Sequence, residues 1–282
     1  MSTITQERNP GGAAVTAPRP QYRVTGRRVL RSEWSKLWTL RSSWITLGLG
    51  LLALLAFGTI AALRYKSLTS AGGRMDPDFA DATSVSLTLF GVRFGQLALG
   101  VLGVLFAAGE YSTGMIRSTL AAVPRRLPVL WSKAAVYGVV AVIVGLAGAF
   151  GGFLIADAVV SGTPAHLGLS GDDVLRALFG AGLYLALVGV IGIALGMLLR
   201  SVAGGISVLV ATLLLVPGLV SLLPNSWRAD VAQYLPSNAG ESLYSLHPQT
   251  GMLSAGAGAL VLIGWTVLAL AGAAYRLLRK DA

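Results

Sequence analysis

Six apolar stretches of about twenty residues each constrain this chain more than any other feature. Crossing roughly 30 Å of hydrocarbon at about 1.5 Å per residue takes about 20 apolar residues, and only a helix satisfies its own backbone groups within one segment. Residues 43–63 meet that length without a charge, and 87–108, 134–156, 178–199, 204–223 and 253–274 follow. None of these runs alternates with period two, so helices are expected rather than barrel strands. Of the 282 residues 54% are hydrophobic and 12% charged. A soluble domain carries roughly 25% charged residues. The expectation is therefore an all-α membrane protein with six transmembrane helices, and a water-soluble enzyme is excluded.

Charge placement sets the expected orientation, because lysine and arginine accumulate in cytoplasmic connections. Sixteen of the 22 basic residues fall on the side that receives residues 1–42, 109–133, Arg200 and 275–282. Arg64, Lys66, Arg74 and Arg228 fall on the other, with Asp76, Asp78, Asp81, Asp172, Asp173, Asp230 and Glu241, while Arg93 and Arg176 lie at span ends. Both termini are thus expected in the cytoplasm, as an even number of spans requires. Arginine outnumbers lysine 18 to 4 and alanine and glycine abound, a GC-rich bias that points to a multi-pass protein of the bacterial cell (inner) membrane. The positive residues sit beside apolar runs rather than in one stripe, which suits lipid headgroups and not nucleic acid. There is no cysteine, and His166 and His247 are too far apart in sequence to suggest a metal site. No cleavable signal peptide is expected, since the first apolar run starts only after residue 42 and five more follow. Residues 1–21 mix Gly, Ala, Pro and Thr and read as a disordered cytoplasmic tail ahead of one membrane domain over 22–282.

Two polar segments look like more than connections. Between Tyr22 and Arg41, Leu30, Trp34, Leu37 and Trp38 recur at helical spacing, with Arg27, Arg28, Arg31, Ser35 and Lys36 mainly elsewhere on the wheel. Such an amphipathic helix suits the inner headgroup layer, as an anchor or as a contact surface for a cytoplasmic partner. After the second span, Ser112 or Thr113 can cap a short helix whose apolar side is Met115, Ile116, Leu120 and Val123, and Pro124 stops it. Arg125, Arg126 and Lys133 then hold the re-entry at the positive side. A short half-apolar helix in a hairpin loop suits force transmission to a soluble motor, and a plain re-entry loop has the same pattern.

The run from Glu110 to Arg117, Glu-Tyr-Ser-Thr-Gly-Met-Ile-Arg, continues through Thr119-Leu120-Ala121 to Pro124-Arg125-Arg126 and then Lys133. Together with Glu33-Trp34-x-Lys36-Leu37 and Arg41-Ser42, it resembles the type-2 ABC transporter permeases, over the chain from about residue 27 onward. The resemblance implies a cytoplasmic coupling helix between the second and third spans that docks in a groove of a separate ATPase subunit. Glu110, Tyr111, Thr113, Gly114, Met115, Ile116, Arg117, Leu120, Pro124, Arg125 and Arg126 would form that coupling region. Arg31, Glu33, Trp34, Lys36 and Leu37 would belong to an amphipathic interface helix beside it. It also implies a second permease copy or a paralogue, two ATPase domains, and outward movement of a hydrophobic or amphipathic cargo such as a drug, antibiotic or lipid. The short outer loops depart from relatives that carry a large outer domain. On this reading Glu110→Ala or Arg117→Glu uncouples ATP hydrolysis from export with insertion intact, and the coupling stretch must stand free for a second molecule to grip.

The chain itself lacks a phosphate loop. Gly109 and Gly114 have the spacing, but Met115 and Ile116 stand where lysine and a hydroxyl would be needed. No catalytic residue is expected, and ATP and magnesium belong to the partner ATPase. Gly48-x-Gly50-x-x-Ala53 lies inside a span and is not a dinucleotide turn. Gly91/Gly95, Gly148/Gly152 and Gly192/Gly196 form small-x-x-x-small pairs expected at close helix contacts. Arg93 and Gln96, polar residues one turn apart within the second span, either snorkel to the outer headgroups or face a cargo path. A pairing of Arg93 with Glu110 is excluded, since 17 residues of helix span roughly 25 Å. Pro217 is expected to kink the fifth span, and 224–253, with Trp227, Tyr234 and Tyr244, to form a helical return at the outer interface. Two alternatives remain open: an ion-coupled secondary transporter, which calls for ionisable groups at midplane, and a non-transporting membrane anchor for an ABC ATPase. An intramembrane enzyme would need paired carboxylates or a serine–histidine pair inside the bilayer, where neither histidine lies.

Overall fold

The computed structural model describes residues 25–70, 79, 81–123, 125–246 and 251–279. The expected tail over 1–21, Pro124 and His247 lie outside them. All regular structure among the described residues is helical, and six spans are long and apolar enough to cross a membrane.

α1 (Gly26–Thr39) leads into α2 (Arg41–Ser70), the first span, across one extended residue, Leu40. The second span starts as α3 (Ser84–Leu89) and continues as α4 (Val92–Ser112). α5 (Met115–Ala122) is the short helix of the hairpin, and α6 (Leu127–Val159) and α7 (Val174–Leu199) are the third and fourth spans. The fifth span is composite: α8 (Val202–Val210), a π-helical turn over Ala211–Leu215, and α9 (Val216–Ser221). α10 (Asn225–Ala232) and α11 (Pro236–Tyr244) then precede the last span, α12 (Ala255–Arg279).

The spans outrun the apolar stretches that announce them. α6 holds 33 residues, roughly 50 Å of helix against about 30 Å of hydrocarbon, so it tilts or projects beyond the bilayer. The second span, expected as one helix, is broken at Phe90–Gly91. A Cβ on Gly91 would lie 2.2 Å from the Leu54 carbonyl oxygen, so the break brings this backbone against α2. In the fifth span Pro217 has no amide to give the preceding turn, and the helix ahead of it widens, with the Val216 amide donating to the Ala211 carbonyl. The expected distortion is therefore a π turn just before the proline.

α7 is the hub. Two thirds of its apolar window (67%) is buried within the bundle, against 17% for the fifth span and 22% for α12. Its contact with α4 is backbone to backbone: a Cβ on Gly192 would lie 2.2 Å from the Gly100 carbonyl oxygen, and one on Gly103 2.3 Å from that of Gly189. Without a hydrophobic drive between helices in lipid, such close approach supplies the packing. The Tyr137 hydroxyl of α6 donates to the Leu99 carbonyl of α4 and ties the third span to the same core.

Candidate functional site

At the end of the bundle where α1, the end of α4 and the start of α6 meet, four charged side chains close a ring. Lys133 Nζ on α6 lies 2.7 Å from Glu33 Oε2 and 2.8 Å from Glu110 Oε1, and Lys36 Nζ on α1 lies 2.7 Å from Glu33 Oε1 and 2.9 Å from Glu110 Oε1. Glu33, Glu110 and Lys133 are buried and Lys36 nearly so. The two charges of each sign cancel, which is how an interior holds ions that would each cost several kcal/mol alone. Lys133 Nζ also stands 4.2 Å above the Phe106 ring, and Lys36 Nζ reaches Thr119 Oγ1 of α5 at 3.3 Å. Burial opposes the charge on Lys36, but Glu33 and Glu110 outweigh it and hold its pKa above the ordinary lysine value. Glu110 Oε2 is buried without a hydrogen-bond partner among the described residues.

The ring gives α1 a bundle-facing side that the sequence wheel did not mark. Val29, Glu33 and Leu37, four residues apart, face the bundle, because Glu33 must reach Lys133. Leu30, Trp34 and Trp38 instead form a second apolar strip, exposed, with Trp34 and Trp38 stacked at 5.5 Å and Trp44 of α2 set edge-on to Trp38 at 4.4 Å. Arg31 is exposed on the same helix.

The hairpin also differs in one local detail. Ser112 and Thr113 do not cap α5: both hydroxyls donate backward to the Gly109 carbonyl, at 2.9 Å each. The corner is Gly114, at φ 73°, where a Cβ would meet nothing, so glycine is there for its backbone and not for space. α5 buries only Ile116, while Met115, Arg117, Ser118 and Ala121 are exposed, and Arg125 just beyond the helix is exposed too. The stretch is not submerged among the helices. Leu120 packs half-buried beside Val29 and Val123, and Tyr111 lies under the Arg200 guanidinium at 5.3 Å. Arg126 donates to the Leu277 carbonyl at 3.2 Å and binds the hairpin to α12. Lys133 is the member of this cluster that no site assignment from sequence included. Lys133 had a signal, as a lone cation at the start of an apolar run, but its two partners cannot be read from spacing.

At the opposite end α4, α7, the fifth span and α11 surround a cavity of about 230 Å³. Its polar lining is Arg93, Gln96, Glu241, Ser237 and Asn238, with Tyr184 and Tyr244. Leu213, Leu214 and Pro217 form the apolar wall. The two polar residues of the second span thus meet one space, by different routes. Gln96 is buried, accepting from the Tyr184 hydroxyl and donating to the Arg93 carbonyl at 3.1 Å. Arg93 is largely exposed and stands 3.8 Å from Glu241. Burial, then Tyr184 and Glu241, push the Tyr244 phenol well above its ordinary pKa, so it stays neutral. Arg176 fastens α11 from below, donating to the Leu243 and Ser245 carbonyls at 3.1 and 2.9 Å. Among the described residues no three His, Cys, Asp or Glu side chains gather where they could hold a metal ion.

No model of a known protein family matches the chain, and no curated protein matches it.

Proposed function

We propose that this chain is the membrane-spanning subunit of an ABC-type exporter in a bacterial cell membrane. ATP is hydrolysed on a separate ATPase polypeptide, and two copies, or this chain and a paralogue, form the membrane portion. The cargo is hydrophobic or amphipathic and moves outward. The observation that carries this reading is the hairpin: an exposed helix, α5, that continues from α4, is tied to α1 by the Lys36–Thr119 hydrogen bond and packs Leu120 against Val29 of α1 and Val129 of α6. Load applied to such a helix is delivered to the bases of three segments at once rather than dissipated in a loose loop. In this scheme the exposed Met115, Arg117, Ser118 and Arg125 meet the ATPase, and α1 is the interface helix, with Arg31 and Trp34 outward. Glu110, Glu33, Lys36 and Leu37 face inward and serve by positioning.

That division separates two substitutions that the sequence treats alike. Arg117 is exposed, so Arg117→Glu leaves the fold intact and reverses the charge offered to the partner. Glu110→Ala leaves two lysines sharing one carboxylate in a buried site and disturbs the fold as well. The test is co-expression with a lone ABC ATPase encoded beside this gene. The ATPase is expected to co-purify with the wild-type chain, and inside-out vesicles to accumulate a fluorescent amphipathic cargo only with ATP. With Arg117→Glu, co-purification and ATP-dependent accumulation should fall together while the amount of inserted protein is unchanged. Unaltered accumulation by Arg117→Glu would remove α5 as the coupling element. Co-purification without any ATP-dependent accumulation would favour the anchoring role.

A further inference from the structure

We infer that the cavity between α4, α7, the fifth span and α11 binds the zwitterionic head of an amphipathic molecule, with Arg93 taking its anionic group and Glu241 its cationic one. The inference deepens the transport reading and rests on it only for the ligand's standing as cargo.

Arg93 and Glu241 stand 3.8 Å apart, whereas every link of the ring at the other end is 2.7–2.9 Å. Their side chains are 64% and 38% exposed, so both charges stay open to a third party. A guanidinium carries five donors and is suited to a phosphate or carboxylate. A carboxylate beside the half-buried Tyr244 ring is suited to an ammonium, which gains from the ion pair and from that ring. A purely anionic head would satisfy Arg93 and be repelled by Glu241, and a purely cationic one would meet the reverse. Only a head bearing both signs compensates both residues.

Further polar capacity points the same way. Ser237 Oγ is buried, lines the cavity and has no hydrogen-bond partner among the described residues. Asn238 spends its amide on the Ala232 carbonyl at 2.9 Å, which leaves its side-chain oxygen to accept. The size is that of a head and not of a whole amphipath, since about 230 Å³ falls short of the roughly 300–1,000 Å³ that encloses a drug-sized ligand. An apolar remainder has a way out along Leu214 and Pro217 to the exposed Leu215 and Leu219. The π turn over Ala211–Leu215 places part of this apolar wall, and irregular backbone at such depth is tolerated where it lines a cavity.

The experiment uses the purified full-length chain in maltoside micelles, with no ATPase present, and native mass spectrometry to count retained ligand. Dihexanoylphosphatidylethanolamine is the zwitterionic probe. Dihexanoylphosphatidylglycerol has the same chains and no cation, and glycerophosphoethanolamine has the same head and no chains. Saturable retention of the first is expected, with each of the others bound about tenfold more weakly, as are Arg93→Gln and Glu241→Gln with the first, one charge-assisted contact being worth about that factor. The decisive variant is the double exchange Arg93→Glu/Glu241→Arg. It keeps the ion pair and should keep the wild-type melting temperature, yet it reverses the charges relative to the apolar exit, so retention stays lost. Retention restored by the exchange, or equal retention of the zwitterionic and anionic lipids, would overturn the inference. Equal retention of the chainless head would overturn its amphipathic part and leave a site for a free zwitterion. Retention together with failure of any ATPase to co-purify or to drive accumulation would sink the transport reading and keep the site, and ATP-driven transport with no retention would do the opposite.

Discussion

The two ends of the bundle handle charge in opposite ways. Where α1, α4 and α6 meet, four largely buried ions lock into a neutral ring with contacts under 3 Å. Where α4 meets α11, one cation and one anion face each other loosely across a partly open cavity. The first arrangement has almost no capacity left for another molecule, and the second has plenty. Burial decides which: a closed, dry ion cluster fixes segments in place, while an exposed pair contributes little to folding and stays available for binding.

Breaking the ring is expected to have the largest effect. Lys133→Met leaves Glu33 and Glu110 buried with only Lys36 between them and should cost about 3–5 kcal/mol. Fluorescence-detected gel filtration after heating would register it as a large drop in melting temperature. The double variant Lys133→Met/Glu110→Gln restores neutrality around the Lys36–Glu33 pair and should recover most of the loss. A single variant as stable as wild type would mean that the ring is not a structural lock.

Packing comes next. Gly192→Ala places a methyl 2.2 Å from the Gly100 carbonyl oxygen, and forcing α4 and α7 apart should cost about 1–3 kcal/mol. Gly264→Ala in α12, where a methyl meets nothing, should be neutral or slightly stabilising in the same assay. Equal effects at both positions would detach the small residues from helix packing.

A subtler contrast lies in alkali. Because the two carboxylates raise the pKa of Lys36, its contribution to stability is fully present below the ordinary lysine value of 10.5 and is lost as pH rises above it, through the folded pKa. Melting curves from pH 8 upward should therefore decline more steeply for wild type than for Lys36→Met above about pH 10.5. Parallel curves would show that Lys36 does not titrate with folding. The smallest effect belongs to the loose pair: Glu241→Gln should shift stability by under about 1 kcal/mol, since the partly exposed contact at 3.8 Å holds little together.

The six spans were legible because membrane crossing demands a length of apolar sequence that few other structures use. Their ends were not, because α2 and α6 run on through polar residues such as Tyr65 and Lys133 that hydropathy discounts but neighbouring helices shelter. The break before α4 escaped notice because the Gly91/Gly95 pair marks a close helix contact and not an interruption, until Leu54 is placed against Gly91. Excluding a contact was easier than finding one: helix length alone kept Arg93 from Glu110, but nothing local paired Arg93 with Glu241 or Glu33 with Lys133. The face that α1 turns inward was not legible for the same reason, since hydropathy marks the tryptophan strip and only tertiary pairing marks Glu33. At the hairpin a short helix was legible, but Met115, expected on its apolar side, is exposed, and the glycine corner displaced the hydroxyl caps that residue preference suggested.

One consequence of the four-ion ring concerns the order of events during synthesis. Glu33 and Lys133 are 100 positions apart, so at about 5–20 residues per second the ribosome needs roughly 5–20 s to make the second after the first. For that interval the N-terminal helix has no cation on the third span to fasten it, and only the insertion of α6 completes the clasp. A nascent chain halted before residue 133 would hold its leader to the second span only through Lys36 and Glu110, and the third span's cation is what closes the clasp.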